Sequence, residues 1–430
     1  MTSRRTFMRG LAGAGIALPV MREDAFGQLF KANAIAGNRS PQQLAEEEAY
    51  WSQIQRAFDL DRTMINLNNG GCSPTPTHVL EQLIRDQRFV NELPVEHMWR
   101  ILEPRMESTR RDLAKEFGCD TEEIAVVRNA SEANEIMIFG IDLQRGDEVL
   151  STNQNYPRMN TSWEQRVRRE GIVFKQISFK VPPPSDENIV EQFRKAITPK
   201  TRVIEVTHIT NLTGQIMPVR EIVRMARPLG IEVFVDGAHA FNHFPFKRDD
   251  LECDYYGVSL HKWTMAPIGT GFLYVRKEKQ EKLWSLMGSD DSLKGNIRKY
   301  EQIGTHPQAN FNAVSTALAF SRGMGADRKI ARLRFLRDRW AKRLLAASDR
   351  VRVLTPLGAD KSGAICLFNV DGLDSGKLGN WLMANYRIVN TPIGHPEFNG
   401  IRITPNVYTT LDEIDLFADA VIKAMKQGIA

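Results

Sequence analysis

The chain has 430 residues, 42% of them hydrophobic, and its 57 Lys and Arg against 52 Asp and Glu leave a net charge of +5. At roughly 100–200 residues per domain this is two to three domains' worth of chain, enough to bury a large core without disulfide staples. The composition excludes a disordered, collagenous or disulfide-miniprotein class, and a positive excess this small and scattered argues for no nucleic-acid partner.

The N-terminus reads Ser3-Arg4-Arg5-Thr6-Phe7-Met8-Arg9, followed by a small, apolar run from Gly10 to Val20. Adjacent arginines before a short, weakly hydrophobic stretch match the twin-arginine export signal. The run is too short to span a bilayer, and nothing after it reaches the 18 or so apolar residues of a membrane helix. The expectation is a signal peptide over residues 1–30 with cleavage between Ala25 and Ala36. It implies the twin-arginine translocase as a partner, a periplasmic mature protein and no stable membrane anchor.

A helical pattern follows over Gln42–Phe58. From about residue 65 to 275, short apolar runs alternate with helical ones. Strands are expected at Met64–Asn68, Ile124–Arg128, Glu148–Ser151, Val173–Ile177, Arg202–Val206, Glu232–Val235, Tyr255–Val258 and Gly271–Val275. Helices are expected at Thr77–Val90, Pro104–Phe117, Glu132–Ile141 and Val219–Leu229. Such alternation belongs to an α/β fold with a mostly parallel sheet covered on both faces.

After residue 310 the pattern changes. A long helix begins near Asp327, with Ile330, Leu333, Leu336, Trp340 and Leu344 at helical spacing. Its other face carries Arg328, Lys329, Arg332, Arg334, Arg337, Arg339, Lys342 and Arg343, which reads as a solvated face. Strands near Gly363–Val370, Arg387–Thr391 and Gly400–Thr404 alternate with helices near Ser375–Asn385 and Leu411–Lys426. Residues 60–315 are therefore expected to form a large domain, and 40–59 with 316–430 a smaller α+β domain. The four cysteines, at 72, 119, 253 and 366, form no Cys-x-x-Cys pair and read as free and buried.

Ligands of parallel sheets bind beyond the carboxyl ends of the strands, and four expected strands end in chemistry. Asp236-Gly237-Ala238-His239 follows one, Ser259-Leu260-His261-Lys262 the next. His208-Ile209-Thr210-Asn211 follows a third, and Asn129-Ala130-Ser131-Glu132 opens a helix after a fourth. An aspartate at a strand end can hold a positively charged ring nitrogen. A dehydrated lysine amine attacks carbonyls. A helix N-terminus with a serine hydroxyl suits a phosphate. Phosphate, protonated ring and Schiff base together specify pyridoxal 5'-phosphate (PLP).

With Asp-Gly-Ala-His and Ser-x-His-Lys in this order, the Asp and Lys 26 residues apart, the chain resembles a fold-type I PLP-dependent transferase of the aminotransferase class V family. It is most similar to the isopenicillin N epimerase-like branch, which includes exported members. The resemblance covers about residues 60–425. It implies that Lys262 carries the coenzyme and moves protons at the substrate α-carbon, and that Asp236 pairs with the ring nitrogen. It places His239 and Asn211 near the ring hydroxyl, and Tyr156 against the ring. Ala130, Ser131, Ser259 and His261 would hold the phosphate, with Thr305 reaching the phosphate of a partner subunit in a homodimer. Arg402 would bind the substrate carboxylate, and Asn68-Asn69-Gly70-Gly71, Asn69 among them, would form a substrate loop. Arg128 reads either as a phosphate or substrate contact or as a structural ion pair.

A rival from another class has Asp236, His239 and His243 binding a metal in a hydrolase, with His239 and His243 one helical turn apart; it leaves Lys262 idle. Within the PLP reading, desulfurases of the family use a cysteine on the loop before the carboxylate-binding arginine. Here that loop, residues 391–399, has none. The expected function is amino-group transfer or epimerisation at the α-carbon of an amino acid or amino-acid-containing peptide, with α,β-elimination as the alternative. An epimerase needs a second acid–base, for which His395, His306 and Tyr156 are the candidates.

Overall fold

The structure, a computed structural model, describes residues 25–429; most of the expected signal peptide lies outside them. Among the described residues no helix is long and apolar enough to cross a membrane.

Among the described residues thirteen strands build three sheets. In the large one, β2 (Ile124–Val127), β3 (Glu148–Thr152), β4 (Val173–Ile177), β5 (Thr201–Thr207), β6 (Glu232–Asp236), β7 (Tyr255–Ser259) and β8 (Gly271–Val275) lie in the order β2-β8-β7-β6-β5-β3-β4. β8 is antiparallel to both neighbours and every other pairing is parallel, so six strands point the same way. The edge strand β2 and its inner neighbours β8 and β7 are buried along their whole length. That is why they read as continuous apolar runs without alternation. Helices sandwich the sheet, with two apolar cores centred on Leu113, Phe117, Phe193 and Ile222 on one side and on Ile136, Met137, Trp163 and Leu283 on the other.

The smaller sheet holds β9 (Val351–Val353), β10 (Cys366–Val370), β12 (Thr391–Gly394) and β13 (Asn399–Ile403), antiparallel in the order β12-β13-β10-β9. β1 (Ile65–Asn66) pairs in parallel with β11 (Ile388–Val389). The expected strand at Met64–Asn68 thus belongs with the C-terminal region, not with the large sheet. Its pairing partner lies more than 300 residues away, which local periodicity does not reveal.

The helix Gln308–Met324 straddles the boundary expected at residue 315. It packs on the helices Thr77–Glu92 and Glu103–Phe117 of the large domain, and the chain turns at Gly325, whose φ of +89° suits a residue without a side chain. The N-terminal helix Ala25–Ala36 buries Ala25, Leu29 and Ala32 against the helices Glu48–Gln55 and Gln308–Met324.

The solvated-face reading of the long helix is corrected. In Ala326–Ala347, Lys329, Arg332 and Arg337 are buried. Arg332 bonds Glu48 and the carbonyls of Ala45 and Thr409. Arg337 donates to the Ser362 hydroxyl at 2.7 Å and to the carbonyls of Leu357 and Gly363 at 2.9 and 3.0 Å. Lys329 donates to the Trp263 carbonyl. This face clamps the helix between the two domains; Arg339 and Arg343, which meet Asp415 and Asp419, form its outer rim.

Candidate active site

The carboxyl ends of β2, β3, β5, β6 and β7 open on one edge of the large sheet. There they surround a cavity of about 290 Å³, closed on its other side by Gly70, Gly71 and Arg402. Its lining includes Ala130, Ser131, Tyr156, Asn211, Asp236, His239, Ser259, His261 and Lys262. The sequence placed each of these except Tyr156, which the family resemblance alone singled out, at a strand end or helix start, and one shared strand direction brings them together.

After β2, Asn129 caps the helix Ala130–Gly140 by accepting from the Glu132 N–H, and the Ala130 N–H donates to the Ser259 hydroxyl at 2.9 Å. This joins the helix start to the end of β7. Glu132 does not complete a capping box; its carboxylate binds the backbone and guanidinium of Arg128. Arg128 is therefore the structural ion pair.

After β6, Asp236 is buried and accepts from the Ala238 N–H at 2.9 Å and from Asn134. Burial pushes its carboxyl above the usual range, against the pull of Lys262. Gly237 must lack a side chain, because a Cβ there would lie 2.0 Å from the Tyr256 ring. On the neighbouring strand Glu205 is also buried; dehydration first and Asp236 second push it up to about 8. It accepts from the Trp163 indole at 2.7 Å and from Asn155 at 2.8 Å, while Asn155 accepts from Thr207. These bonds pin the turn that presents Tyr156, itself 42% exposed at the pocket.

After β7, the Lys262 amine lies 3.2 Å from His239 Nε2. Burial lowers it to about 8, against the opposing attraction of Asp236. At pH 7 about a tenth of the amine is thus unprotonated and able to act as a nucleophile, against almost none for an ordinary lysine. Burial likewise lowers His261 to about 4 and holds His239 well below the imidazole range, so both rings are neutral.

Arg402 comes from β13 and is 7% exposed. Its fork meets only neutral acceptors, the Asn211 carbonyl at 2.8 Å and the Asn68 amide oxygen at 2.9 Å, with Thr391 at 3.4 Å. Burial lowers it to about 10. A dehydrated guanidinium without a carboxylate is costly to hold, and it suits a carboxylate brought in by a ligand.

Several expected residues lie elsewhere. Asn69 is fully buried, and its amide bonds Asn66, Thr404 and Tyr408. It braces the loop, while Asn68 meets Arg402 and Gly70 and Gly71 face the cavity. Thr305 is exposed and outside the lining of its own chain's cavity. His395 bonds the Asn153 carbonyl and His306 bonds Gly304 and Gln308; of the three acid–base candidates only Tyr156 lines the cavity. Cys72 is exposed rather than buried; Cys119 is partly buried, and Cys253 and Cys366 are buried.

The metal rival fails on geometry. His239 and His243 lie in a run of turns, not a helix. Both His243 nitrogens are occupied, by the His239 carbonyl and the Ala364 N–H. Among the described residues no cluster of three or more His, Cys, Asp or Glu side chains is placed to hold a metal.

Four lining residues carry buried polar atoms without partners: Asn134 Oδ1, Asn211 Oδ1, His261 Nδ1 and Arg402 Nε. Buried polar groups are rarely left unpaired. Together with a lysine amine, a buried aspartate and a serine-bearing helix start, they fit PLP and a carboxylate-bearing substrate. Sequence reasoning missed Asn134, Asn155, Glu205 and Trp263, which act through other side chains and carry no motif.

The sequence model of the family described as aminotransferase class-V matches residues 65–417. An isopenicillin N epimerase of Streptomyces clavuligerus is 29% identical over 390 residues, 87% of this chain and 98% of that protein. A hercynylcysteine sulfoxide lyase of Schizosaccharomyces pombe is 23% identical over 300 residues, 67% of this chain and 76% of that one. The fold is that of a cysteine desulfurase from Thermococcus onnurineus NA1, with a TM-score of 0.75 at 22% identity, covering 87% of this chain and 98% of that one.

Proposed function

The chain belongs to the aminotransferase class-V family of PLP-dependent enzymes, and from that premise we propose that it transfers the amino group, or inverts the α-carbon, of an amino acid or amino-acid-containing peptide. The observation that carries this reading is the pairing, in one cavity, of a free lysine amine with a buried arginine fork that has no carboxylate of its own.

When bound, PLP supplies an aldehyde for the lysine amine and a cationic ring that draws electrons from the α-carbon. Lys262 binds it and moves the α-proton. Asp236, steadied by Asn134 and the Ala238 N–H, holds the ring nitrogen. Ala130, Ser131, Ser259 and His261 receive the phosphate, and His239 and Asn211 face the ring hydroxyl. Arg402 orients the substrate carboxylate through two parallel hydrogen bonds. In the epimerase form Tyr156 is the second acid–base, since it alone among the candidates lines the cavity.

The test is the holoenzyme with a panel of amino acids in heavy water. Keto acid that appears only with an amino acceptor marks transfer. Deuterium at the α-carbon with loss of optical purity marks inversion. Absence of both with every carboxylate-bearing amine overturns the reading. The second reading is α,β-elimination, favoured by the relative named a lyase; it would expel the β-substituent with the α-proton and, after water hydrolyses the imine left behind, give ammonia and keto acid without an acceptor.

We also propose export through the twin-arginine translocase to the periplasm, on the Arg4-Arg5 motif and the apolar run behind it. Because the helix from Ala25 is packed into the body, a released leader would end before it. Export lost in an Arg4→Lys, Arg5→Lys variant supports this, and unchanged fractionation overturns it. A homodimer is supported by Thr305, exposed and outside the lining of its own cavity, and by Ile268, 68% exposed beside Asn310. A fully active monomer in sedimentation overturns it.

A further inference from the structure

His239 has its two ring nitrogens in different surroundings. Nε2 faces the cavity, 3.2 Å from the Lys262 amine. Nδ1 faces the protein, where the Trp263 indole N–H points at it from 3.4 Å. An indole nitrogen can only donate. The Nδ1 it meets must therefore carry the lone pair, and in a neutral ring the proton then sits on Nε2. The opposite tautomer would set two N–H groups against each other in a buried place, leaving both unpaired.

The indole is held so that it cannot turn away. Its ring stacks on His243, centroids 3.7 Å apart and planes 18° from parallel. His243 is itself fixed, because its Nε2 accepts from the Ala364 N–H at 2.8 Å and its Nδ1 lies 2.8 Å from the His239 carbonyl. The Trp263 carbonyl is held by the buried Lys329 amine. Contacts from both domains thus fix Trp263 and the His243 ring stacked on it, immediately after the reactive lysine.

We propose that Trp263 is a positioning residue that locks His239 as the Nε2–H tautomer, so that the cavity presents a hydrogen-bond donor beside Lys262. The ligand atom this donor fits is an anionic or carbonyl-like oxygen, and in the functional reading above, on which the choice of ligand rests, the ionised ring hydroxyl of PLP. An Nδ1–H tautomer would offer a lone pair there and repel that oxygen.

The tautomer is read by ¹⁵N NMR of the full chain labelled at histidine, before and after loading with PLP, with the His239 signal assigned by its loss in His239→Gln. With PLP joined to Lys262, or above about pH 8 where the free amine is neutral and can accept from Nε2–H, the expected wild-type spectrum shows an unprotonated Nδ1 and a protonated Nε2. Trp263→Phe keeps a ring against His243 and removes the donor. It is expected to admit the Nδ1–H form, to weaken PLP binding roughly fivefold, the worth of one hydrogen bond, and to raise the pH midpoint of the bound cofactor's absorption band. A glutamine at 239 presents its own amide donor and needs no tautomer. In the His239→Gln background, Trp263→Phe should therefore change affinity and midpoint by less than about twofold. A wild-type His239 protonated on Nδ1 under those conditions overturns the proposal, and this needs no variant. So does an unchanged tautomer in Trp263→Phe, or an equal loss in the glutamine background, which would make the tryptophan a packing residue. Failure of PLP to join Lys262 would remove the functional reading and leave the tautomer result standing.

Discussion

The basic face of the helix Ala326–Ala347 and the carboxyl edge of the large sheet both bury cations and polar groups, and they treat them in opposite ways. On the helix, Arg337 finds Ser362 and two backbone carbonyls, and Arg332 finds a carboxylate and two more carbonyls. Those charges hold one helix between two domains. At the sheet edge, Lys262 has a neutral imidazole beside it, Arg402 meets only neutral oxygens, and four polar atoms lack partners. A buried guanidinium whose hydrogen bonds are mostly filled is structural; a buried cation that is short of partners and faces a cavity awaits a ligand.

The sharpest way to break this contrast is one substitution in each region. Lys262→Met should reduce turnover by at least about 10³-fold without lowering the thermal midpoint, because it removes a dehydrated amine whose one bonded neighbour is His239. Arg337→Met should leave turnover per folded molecule unchanged and cost about 3 kcal/mol of stability, since it strands the Leu357 and Gly363 carbonyls in the interior and takes an ion-pair partner from Asp338. Denaturant melts and activity assays on both variants decide it; a melting loss in Lys262→Met equal to that of Arg337→Met would erase the distinction.

Asp236→Asn comes next, with turnover expected to fall about 10²–10³-fold, because an amide cannot neutralise a cationic ring nitrogen in a buried place. Its binding of PLP should weaken far less than its turnover, which equilibrium absorbance titration separates from kinetics. Arg402→Met should raise KM for carboxylate substrates about 30- to 100-fold, the worth of a charge-assisted double hydrogen bond. Decarboxylated analogues should lose little by comparison, and an equal loss for both would place the substrate carboxylate elsewhere.

The unequal legibility of these two regions in the sequence has a physical cause. Asp236, Lys262, Ser259 and Asn211 were readable because each lies at or within a few residues of the end of a short apolar strand, and strands that share one direction deliver their ends to one edge. Asn69 was misplaced because Asn68, Asn69 and Gly70 are neighbours on a bent loop, and only the bend decides which side chain meets Arg402. Lys329, Arg332 and Arg337 were misread because helical spacing separates faces without saying what lies against them; their partners at Ala45, Glu48, Trp263 and Thr409 are distant in sequence. Trp263 and Glu205 carried no signal of their own, since each acts through another side chain.

The mildest prediction tests the state of the lysine rather than its identity. Burial lowers the Lys262 amine from its ordinary value near 10.5 to about 8, while Asp236 pulls the other way and loses. The neutral amine is the form that attacks an aldehyde. Below about pH 8 its share falls tenfold for each pH unit, and above that value it saturates. The rate at which cofactor-free enzyme captures PLP, followed by absorbance, should therefore rise with pH up to about 8 and then level off. A surface-like lysine would keep climbing toward pH 10. Asp236→Asn removes the opposing attraction, so the plateau should begin at lower pH in that variant. A plateau that moved upward instead would mean that Asp236 does not stabilise the charged amine, and that the sheet edge is wired differently from the reading given above.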